Sequence, residues 1–285
     1  MRYAYNFLQL LVLFVCWQHA SLAVPASGYS TDLHIDLNPV NDPTSDKQNM
    51  IVYTSVVDYD FQTSEFTDNQ IAGIAEQAWL EMKQAHEAWG RACGRGRNFI
   101  NQNQPFMMSA IAVGTQIYFS SSMKKNSPNA LLTYKRSDGT VTDQDTVITR
   151  ALAQCRVDQF DAAGDIPSED LHKNKGNCGE IVASALHYAR NKAFPWEAPN
   201  ANVRVVAFGG KNGEVTDPCQ WDDPKQGPNY KKRIACRNWV DWKKMKALTT
   251  AGGVVPERVS RAPKDHFQPN LNEVFLLRTP QQLDA

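Results

Sequence analysis

The chain has 285 residues, 42% of them hydrophobic, with seven tryptophans and a formal net charge of zero. That apolar and aromatic content fits a packed core and excludes a disordered chain. The balanced charge removes any global electrostatic pointer toward nucleic acid.

Met1-Arg2-Tyr3 carries one positive charge and runs into an apolar stretch from Phe7 to Trp17. The stretch is too short for a bilayer span, which takes about 20 apolar residues. Ser21-Leu22-Ala23 follows, small at both ends, then Val24-Pro25. This is the order of a cleaved signal peptide over 1–23. The mature protein is therefore expected to be secreted, extracellular and free of the membrane. Cys16 leaves with the leader, and Cys93, Cys155, Cys178, Cys219 and Cys236 remain. Five is odd, so a complete set of intramolecular disulfides is impossible.

Residues 24–64 read as an acidic extension with one strand-like run, Met50 to Val57. The main domain is expected over 65–285. Ile71, Ile74, Ala75, Ala78, Trp79, Met82, Ala85 and Trp89 recur at helical spacing, with Asp68 as cap and Cys93-Gly94 as stop. Phe106 to Val113 and Thr115 to Ser120 read as two strands around Gly114. A loop to Thr140 leads to a second helix from about Thr142, with Val147, Ile148, Ala151, Leu152 and Cys155 on one face. A third helix starts near Asn177 or Cys178 and buries Ile181, Val182, Ala185, Leu186 and Ala189. Asn202 to Phe208 reads as a buried strand, and Tyr230 to Leu248 as a fourth helix. Val254-Val255 and Glu273 to Leu277 are the candidate last strands. This order predicts a three-layer α/β fold, with a mixed central sheet and helices on both faces. In an oxidising compartment a Cys93–Cys155 bridge is a reasonable expectation, with two buried thiols as the alternative.

The chemistry concentrates in Gly176-Asn177-Cys178-Gly179-Glu180. A cysteine at a helix N-terminus feels the positive end of the helix dipole, which favours its thiolate. Glu180 lies in the same first turn, so one short segment offers a metal ligand and an acid/base. Asp217-Pro218-Cys219 follows the next strand, and Cys236 stands near the start of the last long helix. Three thiolates can hold a zinc ion and leave one position for water. The ion brings that water's pKa toward neutrality, and a nearby carboxylate can take and return the proton.

These residues resemble the cytidine-deaminase-like superfamily, whose signature is His-or-Cys-x-Glu on one helix and Pro-Cys-x-x-Cys on the next. The match is Cys178-Gly179-Glu180, then Pro218-Cys219, then Cys236. The element order fits from about Thr67 to Leu248. Cys in place of His is the pattern of secreted and toxin-type deaminases. The resemblance implies zinc on Cys178, Cys219 and Cys236, with Glu180 as proton shuttle. The implied reaction is hydrolytic removal of an exocyclic amine from a nucleobase, whether free, in a nucleoside or in single-stranded nucleic acid. In one departure, the usual two-residue gap between the last two cysteines is sixteen residues here, Gln220 to Ala235. Trp221 and Tyr230 in that insert are candidates to stack on a base or to pin the loop to the core. The pocket walls are expected around Ser109 and Tyr118. His172 and His187 read as ordinary surface or capping residues.

Two other readings stay open. A papain- or transglutaminase-like thiol enzyme would use Cys178 as nucleophile, His266 as base and Asn270 or Asn272 as orienter. Cys219 and Cys236 would then form a disulfide. The third reading is a non-catalytic secreted protein stapled by disulfides.

Overall fold

The computed structural model describes residues 32–38, 40–41, 49–124, 133–135, 141–143, 146–160, 176–198, 201–219 and 235–271. The leader expected over 1–23 lies outside them. Eight strands form one sheet: β1 (Asp36–Leu37), β2 (Tyr53–Asp58), β3 (Met107–Val113), β4 (Gln116–Ser121), β5 (Arg204–Gly209), β6 (Glu214–Thr216), β7 (Lys246–Ala247) and β8 (Asp265–Phe267). The central order is β2-β4-β3-β5, all antiparallel. β1 and β8 flank β2, and β6 and β7 flank β5. The β5–β7 pairing is parallel, so the sheet is mixed. Gly114 takes a φ of 59° in the β3–β4 turn, which suits a residue without Cβ.

Side chains alternate between two apolar faces, as the strand period of two requires. Met108, Ala110, Ala112, Ile117, Phe119, Val206 and Phe208 form one face. It receives α1 (Asp68–Ala92) through Ile71, Ile74, Ala75, Ala78 and Met82. Ile111, Val113, Tyr118 and Val205 form the other. It receives α3 (Val147–Phe160), α4 (Gly179–Asn191) and α5 (Cys236–Trp242), with Trp239 fully buried among them. The short α2 (Arg97–Asn103) packs beside α1. Helices on both faces of a mixed sheet are the expected α/β architecture. Among the described residues no helix is long and apolar enough to cross a membrane.

Several boundaries differ from expectation. Thr67, one residue before Asp68, caps α1 in a capping box with Gln70. Met50 to Val57, placed in the extension, supplies β2 inside the sheet. Thr133–Lys135 and Val141–Asp143 form a strand pair, so the second helix starts at Val147. The expected helix to Leu248 ends at Trp242. Lys244 turns the chain at a φ of 52°, and the Lys246 and Leu248 N–H groups then donate to Val203 and Val205 carbonyls. Val254 donates to Thr249 within a turn and makes no strand. Glu273 to Leu277 lies outside the described residues.

The Cys93–Cys155 bridge is not formed. Cys93 caps α1 in one layer, Cys155 is buried on α3 in the other, and the sheet lies between them.

The segment before β1 is latched to α1. Leu33 N–H donates to both carboxylate oxygens of Glu81, at 3.1 and 3.0 Å, and Gln77 adds a bond at 2.8 Å. Burial, reinforced by Asp32, raises the Glu81 pKa to about 8. The folded chain thus holds a proton that the unfolded chain releases near the ordinary value of 4.5. This contribution to stability is complete below that value and is lost as pH rises toward 8, at about 1.4 kcal/mol per pH unit. Glu81→Gln, which carries no titrating proton, is expected to flatten that slope. Denaturant titrations of parent and variant at several pH values measure it. Parallel curves would assign the slope to other groups.

Candidate metal centre

Gly176, at a φ of 77°, turns the chain into the segment before α4. The Asn177 carbonyl then accepts from Met123 N–H at 2.9 Å, which ties the helix entry to the end of β4. Cys178 is the N-cap of α4, and its carbonyl accepts from Val182. Gly179 rests directly on Ser109 and the Ser120 carbonyl. Cys219 follows β6, and Cys236 is the first residue of α5. Two backbone bonds close the sixteen-residue gap. Cys236 N–H donates to Cys219 Sγ at 3.2 Å, and Arg237 N–H donates to the Cys219 carbonyl at 3.1 Å.

The sulfurs of Cys178, Cys219 and Cys236 all lie within 4.8 Å of one another, and Cys178 and Cys219 are 4.0 Å apart. Cys178 and Cys236 are buried and Cys219 is half-buried. Both buried thiols titrate well above their ordinary value. The hydrogen bond with Cys219 is the main cause at Cys178, and burial is at Cys236. Three clustered sulfurs resist ionising together until a cation balances them, and such a set can bind a metal ion.

Glu180 is buried one residue into α4 and belongs to the same cavity. Burial, followed by the Cys219 sulfur, raises its pKa to about 6. The cavity holds about 510 Å³ and is also lined by Phe106, Lys124, Asn177 and Asp217. Phe106 is 58% exposed at its mouth, and the Lys124 ammonium sits 3.8 Å from the centre of its ring. Asn177 Oδ1, Asp217 Oδ1 and Ser109 Oγ are buried with no hydrogen-bond partner. Ser109 lies near enough to favour the ionised form of Glu180, yet makes no bond of normal geometry. Ser109, expected in the pocket wall, lies behind Gly179 and does not line the cavity. Buried polar atoms normally find partners, so the unpaired Asn177 and Asp217 oxygens of the lining can accept from a ligand.

The four residues singled out from the sequence therefore meet in one place. Other candidates separate from it. Tyr118 bonds to Gln116 and to Asn191, the last residue of α4. It lies at the opposite end of a helix about 20 Å long and does not line the cavity. His187 is buried, not on the surface, and bonds to the Ala193 carbonyl near that same end. His266 is on β8, stacked on His34, with β2 and β4 between it and β3. The Cys178–His266 pair of the thiol-enzyme reading is not assembled. The disulfides of the third reading are absent among the described cysteines. His172, Trp221, Tyr230 and Asn272 lie outside the described residues. Asn177 and Asp217 were legible only as neighbours of ligands in the chain, and Phe106 and Lys124 carried no motif.

No family model matches the chain, and comparison with curated proteins and with solved structures returns no match either.

Proposed function

We propose that this chain is a zinc-dependent hydrolytic deaminase acting on a nucleobase, of the cytidine-deaminase-like kind that its motifs resemble, and that it works after export from the cell. The observation that carries the reading is the convergence of three cysteine sulfurs within 4.8 Å beside a buried carboxyl. The donor set fits zinc. Zn–S bonds of about 2.3 Å in a tetrahedron put sulfurs about 3.8 Å apart, so the cluster needs to contract only slightly. Cys178, Cys219 and Cys236 would hold the ion, and the Cys236 N–H on Cys219 Sγ orients that ligand. Zinc bound there supplies Lewis-acid activation of water near neutral pH.

The chain's own residues do the rest. A cavity of about 510 Å³ takes one base. The Asn177 and Asp217 oxygens are acceptors in need of donors, and an exocyclic amine brings N–H groups to them. Glu180 takes a proton from the attacking water and passes it to the ring nitrogen beside the attacked carbon, then carries the remaining hydroxyl proton to the leaving nitrogen. Water's oxygen bonds to the ring carbon, the carbon–nitrogen bond breaks, and ammonia leaves behind a carbonyl.

Metal analysis of the purified mature chain, with an ammonia-release screen over cytosine and adenine substrates, tests the reading. The expected result is about one zinc per chain and conversion of at least one base. Cys219→Ser should weaken zinc binding at least about a hundredfold in a chelator competition. A metal-free chain, or a zinc-loaded chain that converts no base, overturns the proposal.

A further inference from the structure

The sulfurs of the metal centre stand at a spacing that suits a second chemistry. Cys178 Sγ and Cys219 Sγ are 4.0 Å apart, and both thiols are free. A disulfide holds its sulfurs about 2.05 Å apart. The remaining gap of about 2 Å is within the reach of side-chain rotation. Cys93 and Cys155 have no such opportunity, because the sheet separates them. Among the described residues the trio is therefore the place where thiols can pair.

The three thiols are unequally placed. Cys178 and Cys236 are buried, and Cys219 is half-buried in the cavity wall. A dissolved oxidant entering the cavity meets Cys219 first, and thiol–disulfide exchange depends on such access. The Cys219 carbonyl accepts from Arg237 N–H at 3.1 Å, so its backbone is held while its sulfur can turn. Cys178 is the N-cap of α4, and its side chain makes no cap bond to the helix. Cys236 is engaged differently. Its N–H donates to Cys219 Sγ at 3.2 Å, which holds that sulfur against the Cys236 backbone. Cys178 is thus the partner that Cys219 reaches by giving up that one contact.

We infer that Cys178 and Cys219 form a reversible disulfide when no ion is bound, which gives the chain an oxidised state unable to take up metal. The oxidant is a low-molecular-weight disulfide, the class that an exported chain meets. The Cys219 sulfur attacks one of its sulfurs, and the first small thiol leaves with the electron pair of the broken bond and the proton. The Cys178 sulfur then attacks the Cys219 sulfur of the mixed disulfide and expels the second small thiol with its proton. Two protein thiols are oxidised, and one small disulfide is reduced to two thiols. Cys236 remains as a lone sulfur ligand, too few for a zinc site. Bound metal occupies the same sulfurs, so metal and bridge exclude each other. That exclusion rests on the metal reading of the site; the bridge does not.

Incubation of the reduced, metal-free mature chain with oxidised glutathione, followed by alkylation and mass-spectrometric peptide mapping, tests this. The expected product is a peptide pair joining Cys178 to Cys219, which a dithiol returns to free thiols. Zinc uptake should be lost in the bridged chain and regained on reduction. Zinc at about 100 times its Kd should slow bridging about a hundredfold, because only the metal-free fraction reacts. Cys236→Ser keeps the pair and should bridge as the parent does. Cys219→Ser should form no bridge, because neither remaining thiol of the trio meets the oxidant; a circular dichroism spectrum like the parent's shows that each variant is folded. A parent chain whose trio stays reduced, or whose bridge joins any other pair, overturns the inference. So does a bridge in Cys219→Ser, or a bridged chain that still binds zinc. A reduced chain that takes up no zinc yet joins Cys178 to Cys219 keeps the bridge and removes the deaminase reading. Zinc uptake and base conversion by a chain that never bridges do the reverse.

Discussion

Glu180→Gln is expected to leave the metal bound and to lower turnover about a hundredfold to ten-thousandfold. The side chain sits in the first turn of α4, one peptide past a glycine and two residues from Cys178. It is 5% exposed, so bulk water cannot substitute for it as a proton carrier. Glutamine keeps the volume and one acceptor oxygen, and it loses only the capacity to take up and release a proton. The three sulfurs are untouched by the change. Metal content equal to the parent, together with collapsed turnover, separates proton transfer from metal binding. Cys236→Ser makes the contrast, since it should lose metal and turnover together. A Glu180→Gln chain that turns over at the parental rate removes Glu180 from the chemistry.

How far this arrangement was legible in the sequence depended on spacing. α1 was legible because Ile71, Ile74, Ala75, Ala78 and Met82 repeat at one helical face, and all of them are buried there. Cys178 and Glu180 were legible because both fall in one helical turn, where sequence distance fixes spatial distance. Cys219 and Cys236 were placed by pattern alone. Nothing in a sixteen-residue gap fixes where its ends lie, and the structure closes it with backbone bonds from Cys236 and Arg237 to Cys219. β7 was hidden for a similar reason. Lys246 and Ala247 have no strand-like alternation of their own and become a strand only because β5 offers an open edge. Asn177, Asp217 and Lys124 were missed because a polar residue in a loop looks solvated until its burial is known.

The site's weakest geometric tolerance is at Gly179, and Gly179→Ala is the change expected to disturb it most for one methyl group. The backbone angle there is ordinary for a helix, so the requirement is for space. A Cβ on Gly179 would stand 2.4 Å from the Ser120 carbonyl oxygen, 2.6 Å from Ser109 Oγ and 2.9 Å from Ser109 Cβ. Ser109 could rotate its hydroxyl away. The Ser120 carbonyl cannot move, because β4 is paired on both sides, to β2 and to β3. The helix must therefore retreat from the sheet, and Cys178 and Glu180 retreat with it while Cys219 and Cys236 stay. Overpacking of this kind costs about 1–3 kcal/mol of stability. A displacement near 1 Å at a reacting group costs about a hundredfold in rate. The expected result is a lower melting temperature, weaker zinc retention against a chelator, and turnover reduced more than stability alone explains. Parental values on all three measures would mean that α4 does not press on Ser109 and Ser120, and that the close seating of the Cys-Gly-Glu turn is not what positions the sulfur and the carboxyl.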